Sequence, residues 1–279
     1  MEKPELLAPI QDFTSLRAAI DAGADAVYFG IKGLNMRDSA KNFELKDLKK
    51  IHDICEKNDI KNYLALNTII YDDEIKKLKT LLERSKSYID AVICWDFSVI
   101  KEADKLNMPI HLSTQASISN YEALSFLKKK IKNLRRVILA RELSLKQIEK
   151  IIKNIKKDKL NIEIETFIHG AMCVSISGRC FISQFEFGRS ANRGRCIQPC
   201  RRSYLVEDEE GTRLRLKNDY IMSPKDLCTL PFIDRLIKAR ISSFKIEGRN
   251  RSPEYVKTVV ECYREAIDAS FDDILNKRT

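Results

Sequence analysis

Five of the eight cysteines in this 279-residue chain fall between positions 173 and 228: Cys173, Cys180, Cys196, Cys200 and Cys228. Cys55, Cys94 and Cys262 are scattered elsewhere. Thiolates are soft donors suited to zinc and to iron–sulfur clusters, and four of them commonly hold a 4Fe–4S cluster. The gaps between the five are six, fifteen, three and twenty-seven residues, with no C-x-x-C pair of the kind zinc knuckles use. Irregular spacing of this kind suits a cluster wrapped by a long loop better than a zinc ribbon. The chemistry without metal that the set would permit is inert, buried thiols. A disulfide framework is excluded if the chain works in a reducing compartment.

Other reactive groups are few. There are three histidines, His52, His111 and His169, and neither a Gly-x-Ser-x-Gly nor a His-Glu-x-x-His pattern occurs. His169 stands four residues before Cys173, at the end of an expected strand, where it should face the same site, and it or Glu247 would move protons. Lys245 and Glu247 alternate on one face of the last expected strand, as an ion pair or a clamp on substrate. Arg37, Arg179 and Arg249 are candidates for bidentate contacts to carboxylates or phosphates. Arg189, Arg193, Arg195, Arg201 and Arg202 form a basic stretch among the cysteines. Such a stretch would draw in an RNA loop or stabilise the loop around an anionic cluster.

These residues need a scaffold. Short apolar runs at 5–9, 26–30, 63–67, 91–95, 110–113, 136–140, 162–167 and 243–248 alternate with helix-period segments such as 45–58, 73–85 and 145–156. Asp12, Asp73 and Ser144 stand at N-cap positions. Eight strands alternating with helices predict an α/β fold, a parallel (β/α)8 TIM-like barrel, with an open doubly wound sheet as the alternative. The rhythm breaks once, between strands seven and eight. A Cys-rich loop there leads into a hairpin over residues 204–217, turning at 209–211. The reading is one barrel over residues 1–279 with an insertion at 170–222, which would lie over the C-terminal mouth where barrel active sites are built.

Lys and Arg total 50 against 40 Asp and Glu, a net charge of +10. That balance suits an anionic partner, nucleic acid or an acidic small molecule, or else a solvated Lys-rich surface. No apolar run approaches the roughly 18 residues of a membrane span, and the first residues lack a signal peptide's apolar core. The expectation is a cytoplasmic protein with no membrane partner.

The motifs also resemble a known family. Glu5-Leu-Leu-Ala-Pro, Ala22-Gly-Ala-Asp-Ala-Val-Tyr-Phe-Gly30 and Leu34-Asn-Met-Arg37 look like the collagenase-like peptidase family, peptidase family U-32. So do His169-Gly-Ala-Met-Cys173, Ser177-Gly-Arg-Cys180, Gln198-Pro-Cys-Arg201, Ser223-Pro-Lys-Asp-Leu-Cys228 and Phe244-Lys-Ile-Glu-Gly-Arg249. The resemblance implies two activities. One is proteolysis of collagen and other proteins. The other is oxygen-independent hydroxylation of tRNA, rRNA or a ubiquinone precursor, with a 4Fe–4S cluster and, for RNA, prephenate as oxygen donor. It implies Cys173, Cys180, Cys196 and Cys228 as metal ligands, with Cys200 as the alternative fourth. A nucleophilic protease needs one activated thiolate, so a group of four or five favours a metallocentre. The leading expectation is an RNA-modifying hydroxylase. A peptidase and an accessory RNA-binding protein in a heteromeric complex remain the alternatives.

Overall fold

A computed structural model describes residues 2–37, 40–176, 179–216 and 222–276. Eight parallel strands close into a barrel: β1 (Glu5–Pro9), β2 (Ala26–Gly30), β3 (Lys61–Leu66), β4 (Ala91–Cys94), β5 (Ile110–Leu112), β6 (Leu134–Ile138), β7 (Glu163–Gly170) and β11 (Ser243–Ile246). Each pairs with the next, β7 pairs with β11, and β11 closes on β1. The (β/α)8 TIM-like barrel expected from the sequence is the fold of the chain.

Helices α1 (Phe13–Asp21), α2 (Leu48–Lys57), α3 (Ile75–Ser85), α4 (Phe97–Lys105), α5 (Tyr121–Lys130), α6 (Leu145–Lys157), α8 (Ile233–Lys238) and α9 (Pro253–Asn276) cover the outside. Their buried apolar faces and the outward strand residues make one large core. In α6 that face is Ile148, Ile151, Ile152 and Ile155. Local chemistry sets the starts. The Asp12 carboxylate accepts from the Ser15 backbone N–H at 2.8 Å ahead of α1. The Gln147 side chain accepts from the Ser144 N–H at 2.8 Å ahead of α6. Asp73 lies instead within a single 3-10 turn, and α3 begins after Glu74.

A second, smaller core fills the barrel, with Leu7, Tyr28, Tyr63, Ile93 and Ile138 pointing inward. Charge lies there too. Arg136, 4% exposed at its side chain, bonds Glu5 at 2.5 Å and Glu163 at 2.6 Å near the barrel's N-terminal end, and reaches Glu165 at 3.3 Å. Glu165, fully buried, takes the Lys245 ammonium at 2.9 Å. A chain of alternating charges thus climbs the inside of the barrel towards its mouth.

The insertion leaves β7 at Gly170. Its φ of +103° is a left-handed backbone, and a β-carbon there would press to 2.6 Å from the Glu247 carbonyl. The insertion carries α7 (Ile182–Phe187) and the hairpin β8 (Tyr204–Glu207) and β9 (Arg213–Leu216). The expected hairpin end at Lys217 lies outside the described residues. The segment returns as β10 (Leu227–Cys228), antiparallel to the end of β7, with Leu227 opposite Gly170 and Cys228 opposite His169.

Candidate active site at the barrel mouth

Cys173, Cys180, Cys196 and Cys200 line one cavity of about 100 Å3 at the C-terminal end of the barrel. All four are half-buried. The Cys200 thiol is pushed up first by burial and then by the neighbouring sulfurs of Cys173 and Cys196, with Arg201 opposing. Four thiols from three stretches of the insertion therefore face one space. Among the described residues no three Cys, His, Asp or Glu side chains converge to hold a single ion. A 4Fe–4S cluster takes one thiolate at each of its irons. Four thiols around one cavity are the donor type and number that such a cluster takes.

Cys228 is elsewhere. The resemblance implies it as a ligand, but what joins the end of the insertion to its start is the backbone pairing of β10 with β7. The Cys228 side chain is left exposed, 3.9 Å from the Tyr263 hydroxyl and off the cavity lining. Of the two alternatives, Cys200 is the one that lines the cavity.

Arginines lash the insertion to the barrel. Arg193 donates to the Ile69 carbonyl, pairs with Glu74 and lies over the Tyr71 ring. Arg201 bonds Asp226 at 2.6 Å and the Met172 carbonyl at 3.1 Å. Arg179 donates to the Gln115 carbonyl at 2.8 Å and lies over the Trp95 ring, so it holds the insertion against the barrel and does not line the cavity. Arg189, Arg195 and Arg202 are exposed.

A smaller pocket of about 50 Å3 lies below, sharing Arg37, Thr114, Gln115 and Arg141 with the cysteine cavity. Glu247 sits in it, bonded to Arg37 at 2.8 Å and 4.0 Å from Arg141. Burial resists its charge, but Arg37, Arg141 and Arg249 overcome that and hold the carboxyl at about 2. Arg249 bonds the Asn35 side chain at 3.1 Å, and burial pushes it down to about 10. Gly30 makes room for it, since a β-carbon there would stand 2.7 Å from the guanidinium. Lys245 lies 4.2 Å over the Tyr28 ring, and burial lowers its pKa against the pull of Glu165. Four cations and one carboxylate thus line the pocket, an environment that takes up an anion.

Two expectations change here. Lys245 and Glu247 share the barrel interior, but they do not pair with each other: Lys245 bonds Glu165 below and Glu247 bonds Arg37 above. His169 reaches the rim but turns outward. Its ring lies edge-on to Tyr263 of α9 at 5.5 Å, with Nδ1 3.4 Å from that hydroxyl. The cause is a register shift between β7 and β11, which sets Lys245 opposite Phe167 but Ile246 opposite His169. Phe167, before the shift, keeps the inward place, and Arg141 stacks on it at 3.9 Å. Arg141 also belongs to the site, lining both the cavity and the pocket. Its position at the C-terminal end of a barrel strand was the available signal.

The model of the family described as Peptidase family U32 matches residues 11–278. A "Collagenase" of Porphyromonas gingivalis is 47% identical over 95% of this chain and 66% of its own length. The "tRNA hydroxylation protein P1" of Bacillus subtilis is 38% identical over 96% of this chain and 64% of its own. The "23S rRNA 5-hydroxycytidine C2501 synthase" of Escherichia coli is 38% identical over 96% of this chain and 40% of its own. The chain thus spans about two thirds or less of these relatives. A solved structure described as the U32 peptidase Mk0906 shares the fold at a TM-score of 0.53 and 11% identity, over 90% of this chain and 96% of that one. With the family's model covering nearly its whole length, the chain belongs to peptidase family U32.

Proposed function

We propose that this chain is an iron–sulfur enzyme that hydroxylates a nucleobase of tRNA or rRNA without molecular oxygen. The observation that carries the reading is the placement of four thiols, Cys173, Cys180, Cys196 and Cys200, around one cavity directly above a cation-lined pocket. Two relatives named for RNA hydroxylation support it. Those four cysteines would hold a 4Fe–4S cluster, which supplies one-electron chemistry when bound.

The protein's own groups would do the rest. Arg37, Arg141 and Arg249 would bind and orient the carboxylates of an acidic oxygen donor, with prephenate as the candidate. Glu247 is ionised at neutral pH, and with its carboxyl held at about 2 it would orient Arg37 and Arg141 toward the bound anion rather than take up a proton. Lys245 would hold the opposite side of the bound anion. The insertion roofs the pocket and keeps water out. His169 does not touch this space and would act by positioning β7 against α9. The exposed Arg189, Arg195 and Arg202 would receive the RNA phosphates, and a base flipped from a loop would enter beneath them.

Anaerobic purification followed by iron and sulfide analysis tests the reading, together with mass spectrometry of RNA from a deletion strain. Iron with equimolar sulfide and a missing hydroxylated nucleoside are expected. Stoichiometric zinc, a protein without metal or an unchanged RNA profile would overturn it.

The name of the Porphyromonas relative favours a second reading, proteolysis. Its nucleophile would be Cys228, which faces His169 across the β7–β10 pair. Burial lowers the His169 pKa and so favours the neutral form a base requires. Cleavage of gelatin by the pure protein, lost in C228A and retained in C173A, would support it.

A further inference from the structure

Helix α7 faces the wrong way for a soluble helix. Its inner side is small and polar: Ser183 is buried, and its hydroxyl accepts from the Ile197 backbone N–H at 3.2 Å. Ile182 and Ser183 line the cysteine cavity beside Cys180. The outer side carries two large rings, Phe185, 87% exposed, and Phe181, 66% exposed, while Phe187 at the end of the helix is 46% exposed on another side. Phe181 and Phe185 are one helical turn apart, so their rings are neighbours on one face. Three exposed phenylalanines within seven residues are too many to be incidental on a soluble surface.

Near them in the insertion stand three exposed arginines, against one exposed acid in the helix itself, Glu186. Arg202 lies 5.2 Å over the Phe187 ring. Arg189 and Arg195 are exposed just beyond the helix. Bare aromatic faces among arginines suit unpaired nucleotides, whose bases stack on rings while their phosphates meet guanidinium groups.

We propose that the outer face of α7 is a stacking platform for unpaired RNA bases, with Phe181 and Phe185 taking bases and Arg189 and Arg202 the flanking phosphates. This deepens the RNA-hydroxylase reading and rests on it. Because the other face of α7 lines the cysteine cavity, a strand held there is brought beside the entrance to the site. The platform selects single-stranded loops over duplex, since paired bases keep their faces covered.

Fluorescence anisotropy of the intact, anaerobically purified protein with a labelled RNA stem–loop, and with a fully paired duplex of equal length, tests this. F181A and F185A are each expected to weaken stem–loop binding by roughly tenfold and to leave duplex binding unchanged. F185W is expected to restore it. R189A and R202A are expected to weaken both RNAs and to flatten the salt dependence. The phenylalanines are exposed, so their variants should keep the wild-type iron content and circular dichroism. If wild type prefers the stem–loop while F181A and F185A bind it equally well, the platform is overturned and the RNA reading stands. If wild type binds neither RNA, the RNA reading itself falls and the platform with it. If the alanine variants instead abolish a dimer seen by light scattering, the face covers a second copy of the chain and the proposal is overturned.

Discussion

Replacing Glu165 by Gln removes one charge from the column inside the barrel and leaves its shape intact. Glu165 is fully buried and is the bonded counter-ion of Lys245, whose side chain is 5% exposed. Arg136 loses less, because Glu5 and Glu163 still hold it. The variant therefore strands a buried ammonium, and breaking a buried pair from one side costs about 3–5 kcal/mol. For a chain with a urea slope of about 3 kcal/mol/M, the midpoint falls by about 1 M or more. E163Q touches the same arginine from a half-exposed carboxylate and should cost under about 1 kcal/mol. Burial already lowers the Lys245 pKa, and without Glu165 it falls further. A base depressed in the folded state weakens stability below its unfolded value, near 10.4, so the E165Q penalty should shrink as the pH rises towards that value. The double variant E165Q/K245M removes both charges and should recover most of the loss. Urea titrations followed by circular dichroism measure all three. An E165Q cost no larger than that of E163Q, or a double variant no better than the single, would refute the account of the column.

Glu247, held at about 2 against an ordinary value near 4.5, contributes stability that is complete above pH 5 and lost as the pH falls towards 2. The shift corresponds to about 3 kcal/mol, so E247Q should show an acid limb flatter by that amount in urea midpoints measured between pH 5 and 2. C173A, C180A, C196A and C200A should each lower the iron bound after anaerobic purification, whereas C228A should keep it; iron loss in C228A with retention in C200A would reverse the proposed ligand set. R193M removes the anchor of the insertion on Glu74 and the Ile69 carbonyl. It should speed tryptic cleavage within residues 171–216 several-fold while leaving the urea midpoint of the barrel nearly unchanged. R37Q and R141Q should weaken binding of a dicarboxylate by tenfold or more in calorimetry, since each removes one of the cations lining the pocket.

The barrel was legible because its strands are buried on both faces and read as short apolar runs at a regular spacing. Boundaries were less legible. The sixth run reads as 136–140, but β6 spans Leu134–Ile138. Arg136 looks like a surface residue that begins a strand, yet it lies inside one, neutralised by carboxylates from β1 and β7. Alternation placed Lys245 and Glu247 on one face, and both do point inward. It could not tell that Glu165, on the neighbouring strand and one layer lower, would take the lysine. The His169 reading failed for a related reason. Parity along β7 holds through Glu165 and Phe167 and is then broken by the irregularity opposite Ile246. A bulge of this kind turns one side chain to the other face and has no signature in the side chains themselves.

The cysteines show why an insertion at this place can carry a site at all. A long loop is entropically free to wander unless its ends are held together. Here the pairing of β10 with the last residues of β7 clasps the base of the insertion. Arg193 fastens it to the barrel at Glu74, and Arg201 ties its two ends together through Asp226 and the Met172 carbonyl. The loop must therefore fold back over the mouth, and thiols far apart along the chain are carried to one cavity above the cation-lined pocket. The residue at the clasp, Cys228, is spent on pairing by its backbone and leaves its thiol outside. Sequence spacing cannot separate a cysteine that closes a loop from one that lines it, because both belong to the same segment. Only the direction in which each strand end leaves the sheet decides it, and at the end of β7 the chain leaves through Gly170, whose left-handed backbone packs against the Glu247 carbonyl.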